Sequence, residues 1–220
     1  DGQPFGDQVW TAIEVAAIPA ADSTPISDLA PSADQRLPTT VAAGAPQTVV
    51  NTWNQYGGLL QQEAQRVGIN PAVAVAVLAA ESRGQPFDGN GRLIIRFENH
   101  IFYTHWGKTH EALFRQHFTF ADDESWKEHQ WRPDPASAWQ PVHQDQDSEW
   151  RVFQFARALD EAAALYAISM GAPQIMGFNH NAIGYATVQA MFDAFRRDAR
   201  AQLSSLFRFM EVNGLVDAVR

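Results

Sequence analysis

Asn70-Pro71-Ala72-Val73-Ala74-Val75-Ala76-Val77-Leu78-Ala79-Ala80-Glu81-Ser82-Arg83-Gly84 decides the fold class. Asn70 suits a helix N-cap, and Pro71 suits the first helical position, where its missing N–H costs nothing. From Pro71 to Ala80 every residue is apolar, so a helix over 71–82 is predicted, buried on all sides. Glu81 then closes it. Two readings of that carboxylate stand. A carboxyl beside an apolar wall keeps its proton more readily, which suits a general acid for glycoside cleavage. A helix end can equally turn outward to water.

Upstream, Val50, Trp53, Leu60 and Ala64 fall on one face of a helix ending at Gly68. Downstream, Asp88-Gly89-Asn90-Gly91 is a turn signal, and Leu93-Ile94-Ile95-Arg96-Phe97 has strand character. A small hairpin within Phe87–Phe102 follows. On such a strand Arg96, Glu98 and His100 share one face, which is either a cleft wall or a solvated face. Residues 110–118 read as a short helix. Residues 119–147 are irregular and polar, with Trp126, Trp131 and Trp139 suited to packing or to stacking on sugars. Helical pattern returns over 148–169, breaks over 171–184, and resumes behind Thr187 to about Val212, with Gly214 as the stop. The fold class is mainly α, with one small β-hairpin.

Residues 1–48 differ. They hold six of the twelve prolines, six acidic residues and one basic residue, Arg36. Proline blocks helix propagation, and Ala, Ser, Thr and Asp bury too little to form a core, so 1–48 reads as a linker or extended arm. Phe5, Val9, Trp10, Ile13 and Val15 could instead be the tail of a preceding module. The remainder, 49–220, is one domain. The start at Asp1, without Met, fits a processed chain or a cut domain.

The whole chain carries a net charge of −9, of which −5 belongs to the arm. Bulk electrostatics therefore will not hold nucleic acid or an anionic membrane. With no cysteine, disulfides, thiolate metal sites and a Cys nucleophile are excluded. His100, His105 and His110 recur every five residues, a spacing that does not gather metal ligands on a helix or strand, and HExxH is absent. No metal and no cofactor are expected. There is no phosphate-binding glycine loop and no GxSxG elbow.

Three segments in order carry a resemblance: Ala79-Ala80-Glu81-Ser82-Arg83-Gly84; Gly91 to Tyr103, containing Phe97-Glu98-Asn99-His100-Ile101-Phe102-Tyr103; and Gly171-Ala172-Pro173-Gln174-Ile175-Met176-Gly177-Phe178-Asn179. With Gln202-Leu203 and Phe207-Arg208-Phe209 behind them, residues 50–220 resemble the N-acetylmuramidase domain of phage endolysins and bacterial wall hydrolases, a lysozyme-like group. The resemblance implies a lysozyme-like helical domain with the hairpin beside a cleft. It implies Glu81 as general acid, and Glu98 as second carboxylate or brace, with Asp88 a weaker rival. Gln174, Asn179, His100 and Tyr103 become substrate-binding residues, and peptidoglycan strands become the partner, cut between N-acetylmuramic acid and N-acetylglucosamine. Attachment to the wall would fall to an adjacent binding domain. Rival readings are a lytic transglycosylase and a non-catalytic wall-binding module. Arg83, Met170 and Pro173 depart from the family's Gly, Trp and Phe, and its Tyr-Asn-Gly segment is not within these 220 residues.

Overall fold

The computed structural model describes residues 29–220, so the reading of residues 1–28 as arm, or as the tail of a preceding module, lies outside the described residues. Contacts divide the chain into two compact units. The first comprises Ile95–Ser169 and Met176–Phe178. The second comprises 29–94, Met170–Ile175 and Asn179–Arg220.

The second unit is helical. Helix α1 runs Ala45–Val67 and buries Val50, Tyr56, Leu59, Leu60, Ala64 and Val67, one apolar stripe at helical spacing. Gly68, in the left-handed region, ends it, its N–H reaching the Ala64 and Gln65 carbonyls. Residues 29–37 lie along this helix. Leu29 is fully buried, Trp53 Nε1 donates to the Gln35 carbonyl (2.8 Å), and the Asn54 amide both accepts from Leu37 N–H and donates to its carbonyl. Gly58 is required there, since a Cβ would stand 2.3 Å from the Ala30 oxygen.

Helix α2 spans Pro71–Ser82, with Asn70 Oδ1 accepting from Ala72 N–H (2.9 Å) as the spacing predicts. Its burial differs from the expectation. Only Ala74, Val75 and Leu78 are buried, while Ala72, Ala76 and Ala80 form an exposed stripe at intervals of four. Alanine on that face buries little area, so apolar identity overstated how enclosed the helix would be. Helices α7 (Val188–Arg197) and α8 (Ala199–Val212) follow later in the chain and are capped by Thr187 and Asp198. The helical stretch behind Thr187 thus divides at Asp198. Leu60, Leu78, Leu203, Phe207 and Met210 meet in one core.

Helix α2 ends at Arg83, which holds φ 56°, ψ 28°, at the position where the resemblance leads glycine to be expected. An L residue there costs about 1–2 kcal/mol, against about 0.4–1 kcal/mol for glycine's freer unfolded chain. Arg83→Gly is therefore expected to raise stability by up to about 1 kcal/mol. The check is a higher urea midpoint at unchanged m-value; a lower midpoint would show that the arginine side chain outweighs its backbone strain.

The first unit has an aromatic centre. Strand β1 (Ile95–Phe97) buries Ile95 and Phe97 and exposes Arg96. Helices α3 (Asn99–His105) and α4 (Glu111–His117) bring Phe102 and Phe114 against Phe97 and Phe118, with ring centroids 5.1–6.3 Å apart. Strands β2 (Phe118–Thr119), β3 (Gln130–Trp131) and β4 (Gln140–Pro141) pair antiparallel. Buried Asn99 fastens α3 to them, donating to the Thr119 and Gln130 carbonyls (2.8 Å each). Helices α5 (Gln146–Leu159) and α6 (Glu161–Tyr166) separate at Asp160, which caps α6.

The Asp88–Gly91 turn forms, but its hairpin closes through the single bridge Phe87–Leu93. Instead of continuing the hairpin, β1 lies beside β5 (Ile168–Met170), which lies beside β6 (Ile175–Met176). The strand stops at Phe97, and Glu98 already occupies the N-cap position of α3. His100 is therefore helical, and the expected strand face of Arg96, Glu98 and His100 is replaced by a strand-to-helix corner. Helix α9 (Leu215–Ala218) completes the described chain, and no described helix is long and apolar enough to cross a membrane.

Candidate functional site

In the second unit, Glu81 stands exposed in the last turn of α2. Ala76 and Ala80 of the exposed alanine stripe line a groove of about 830 Å³, with Val41, Ala45 and Thr48 on one side and Ala76, Ala80 and Arg83 on the other. Thus the helix end turns outward: Glu81 is exposed in the last turn of α2, one residue after Ala80 of the groove wall, rather than inside a core. Asp88, the weaker rival, is engaged by its own turn: it accepts from the N–H groups of Asn90 and Arg92 and pairs with the Arg92 guanidinium (2.7 Å).

Gln174 and Asn179 also belong to this unit. Gln174 is held at φ 50°, and its amide donates back to the Gly171 carbonyl (2.7 Å). A left-handed non-glycine residue is strained, and such residues concentrate at functional positions. Behind this turn, Gln202 is fully buried. Its Oε1 accepts from Ala172 N–H (2.8 Å) and its Nε2 donates to the Phe195 carbonyl (2.7 Å). Gly171 sits at φ 70°, and a Cβ there would fall 2.3 Å from that Oε1. Asn179 closes the short 3-10 turn Gly177–Asn179 and is half-buried.

In the first unit, Glu98 and His100 do meet, as part of a larger cluster. Arg96 Nε holds Glu98 Oε1 (3.0 Å). Glu98 Oε2 faces His100 Nδ1 (3.6 Å) and His129 Nδ1 (3.4 Å). His129 Nδ1 also lies 3.0 Å from His143 Nε2, and His143 Nδ1 lies 2.8 Å from Glu149 Oε1. The other Glu149 oxygen accepts from Phe97 N–H (2.7 Å). Burial pushes His129 down to about 4, opposed by its hydrogen bond to the Ser125 carbonyl. Burial also lowers His100, against the pull of Glu98, and raises Glu149, against its bond to His143. Donor atoms of Glu98, His100 and His129 all lie within 4.8 Å of one another.

His105 and His110 take no part; His105 packs at a tilt on Tyr166 and His110 stacks on Trp106. Tyr103 is likewise used in packing, against Phe114 and Phe120 with the Arg115 guanidinium over its ring. Sequence reading missed His129, His143 and Glu149. The first two lie in the irregular segment, and Glu149 is hidden within a helix that reads as ordinary. Of the three tryptophans there, Trp131 is core, packed on Phe155; Arg132 covers Trp139; and Trp126 is 58% exposed.

The family model for N-acetylmuramidase matches residues 70–220. The chain belongs to the N-acetylmuramidase family. That group comprises glycoside hydrolases of the lysozyme type. The crystal structure of the Burkholderia AP3 phage endolysin is similar to it, with a TM-score of 0.56 and 27% identity over 86% of this chain. The N-acetylmuramidase-family chain spans 62% of that endolysin's length. No curated protein matches the chain significantly. The mostly helical fold with small antiparallel sheets agrees with the lysozyme-like expectation. Of the departures from the N-acetylmuramidase motifs, Met170 and Pro173 are both buried, so each replaces one apolar side chain by another in packing.

Proposed function

We propose that this chain hydrolyses peptidoglycan at the β-1,4 bond between N-acetylmuramic acid and N-acetylglucosamine, with Glu81 as general acid. The observation that carries this reading is an exposed carboxylate in the last turn of the first helix of the family-matched segment, directly after the groove-lining Ala80. Glu81 gives its proton to the glycosidic oxygen, the bond from that oxygen to the muramic acid C1 breaks, and an oxocarbenium-like centre forms. Water adds at C1 and returns a proton. We take 49–220 as the catalytic portion, with residues 1–48 as its lead, the end of which supplies Val41, Ala45 and Thr48 to the groove. Recognition of an anionic wall by an acidic chain rests on hydrogen bonds and stacking, for which exposed Trp126 is suited.

One observation favours a second reading. Glu98 is engaged on one oxygen by Arg96 and faces two imidazoles with the other, so it is ill placed to activate water. A single acid that also serves as base is the arrangement of a lytic transglycosylase. Mass spectrometry of digested wall separates the two. Reducing-end muramic acid is expected for hydrolysis, and 1,6-anhydro ends would replace that reading by transglycosylation.

A further inference from the structure

The histidine cluster of the first unit has donors in the wrong places for a simple hydrogen-bonded network. Ser125 offers His129 only a carbonyl, at 2.8 Å, so His129 Nε2 carries the proton and Nδ1 presents a lone pair. Glu149 accepts from Phe97 N–H and from His143 Nδ1, so the remaining lone pair of a neutral His143 is on Nε2. These two lone pairs face each other at 3.0 Å. Glu98 Oε2, another acceptor, looks at the same His129 nitrogen from 3.4 Å, and His100 Nδ1 lies 3.6 Å from that oxygen. His100 Nδ1 also stands 3.4 Å from His129 Nε2. Glu98 Oε2, His129 Nδ1 and His143 Nε2 are thus acceptors facing one another, with His100 Nδ1 beside the same carboxylate oxygen, and acceptors so placed repel unless a positive charge lies between them.

Their spacing suits a metal ion. Bonds of about 2.0–2.1 Å in a tetrahedron set neighbouring ligand atoms about 3.3–3.4 Å apart. The surroundings suit one too. Ligating histidines hand their second N–H to a backbone carbonyl or a carboxylate, which fixes the tautomer. His129 does this with Ser125 and His143 with Glu149. Partial exposure of Glu98, His100 and His143 leaves a path for entry, while the His129 side chain is wholly enclosed. We propose that Glu98, His100 and His129, with His143 beside them, form a binding site for a divalent transition metal of the zinc class. Imidazole with one carboxylate is a donor set for zinc rather than for magnesium or calcium. This site is independent of the assignment of Glu81, and its test does not depend on wall lysis.

The full chain, stripped with a chelator, is titrated with zinc against a chromophoric competitor, and with cobalt(II) for the intense visible bands of low-symmetry coordination. One equivalent of zinc is expected to bind with micromolar or tighter affinity and to raise the melting temperature. Glu149→Gln, which leaves the ligands in place, is expected to weaken zinc by about 10–100-fold. His100→Ala removes a partly exposed ligand and is expected to weaken it at least as much, with a melting curve confirming that the metal-free variant folds. Absence of zinc binding to the unaltered chain would overturn the site, as would an affinity unchanged in both variants. The first result would mean that a proton, rather than a metal ion, occupies the gap between His129 and His143, and the second that zinc binds elsewhere on the chain.

Discussion

Glu81→Gln is expected to reduce turnover on purified peptidoglycan by about 10²–10⁴-fold, the usual contribution of a positioned general acid. The amide keeps the shape of the side chain and withholds the transferable proton. Because Glu81 is exposed at a helix end, the exchange removes no buried partner, and the melting temperature should stay within the range of surface substitutions. Binding to insoluble wall should persist, since the groove beside α2 is lined by Ala76, Ala80 and Arg83 and not by the carboxylate itself. Retained turnover in a folded Glu81→Gln variant would remove Glu81 from the chemistry. Such a result would leave binding without catalysis as the function of this face, or shift the acid to another residue.

Gln202→Leu is expected to have the largest effect on stability. The side chain is fully buried and joins two backbone groups of the same unit, Ala172 N–H and the Phe195 carbonyl. Phe195 lies near the end of α7, where carbonyls lack a partner within the helix. Leucine fills similar volume yet strands both groups away from water, at about 1–3 kcal/mol each. The loss of about 2–6 kcal/mol should lower the melting temperature by about 4–24 °C for a domain of this size. It should also loosen the Gly171–Gln174 turn, whose strained Gln174 depends on that support. A drop below about 1 kcal/mol would show that the turn satisfies its own backbone without Gln202.

Much of the helical framework was legible because its signals are local. Asn70, Pro71, Gly68 and Thr187 act on groups within a turn of themselves, and the structure uses each as a cap or stop. The strand was legible as a strand but not in its partner. Nothing within Leu93–Phe97 says that β5, some seventy residues on, will outcompete the adjacent turn. Burial of α2 was overstated because alanine counts as apolar in a pattern while covering little surface. The histidine cluster was invisible for a different reason. His129 and His143 are neighbours through the β3–β4 pairing, in which Gln130 faces Pro141, and those strands are two residues long. Such short strands leave no periodicity to read. By contrast the family motif pointed to Glu98 and His100 together, and they do share one cluster, though at a corner rather than on a strand face.

The second unit is threaded from three separated stretches of chain, with the first unit's main segment lying between them in sequence. On the ribosome this order matters. Leu60 and Leu78 emerge early, yet their partners Leu203, Phe207 and Met210 arrive only when more than a hundred further residues have been made. At about 5–20 residues per second, the nascent α1–α2 pair waits several seconds or longer with its apolar stripe uncovered. The Ile95–Ser169 segment has its own aromatic centre and can condense during that interval. Synthesis therefore favours completing the first unit before the second, which makes α8 the segment on which soluble expression depends.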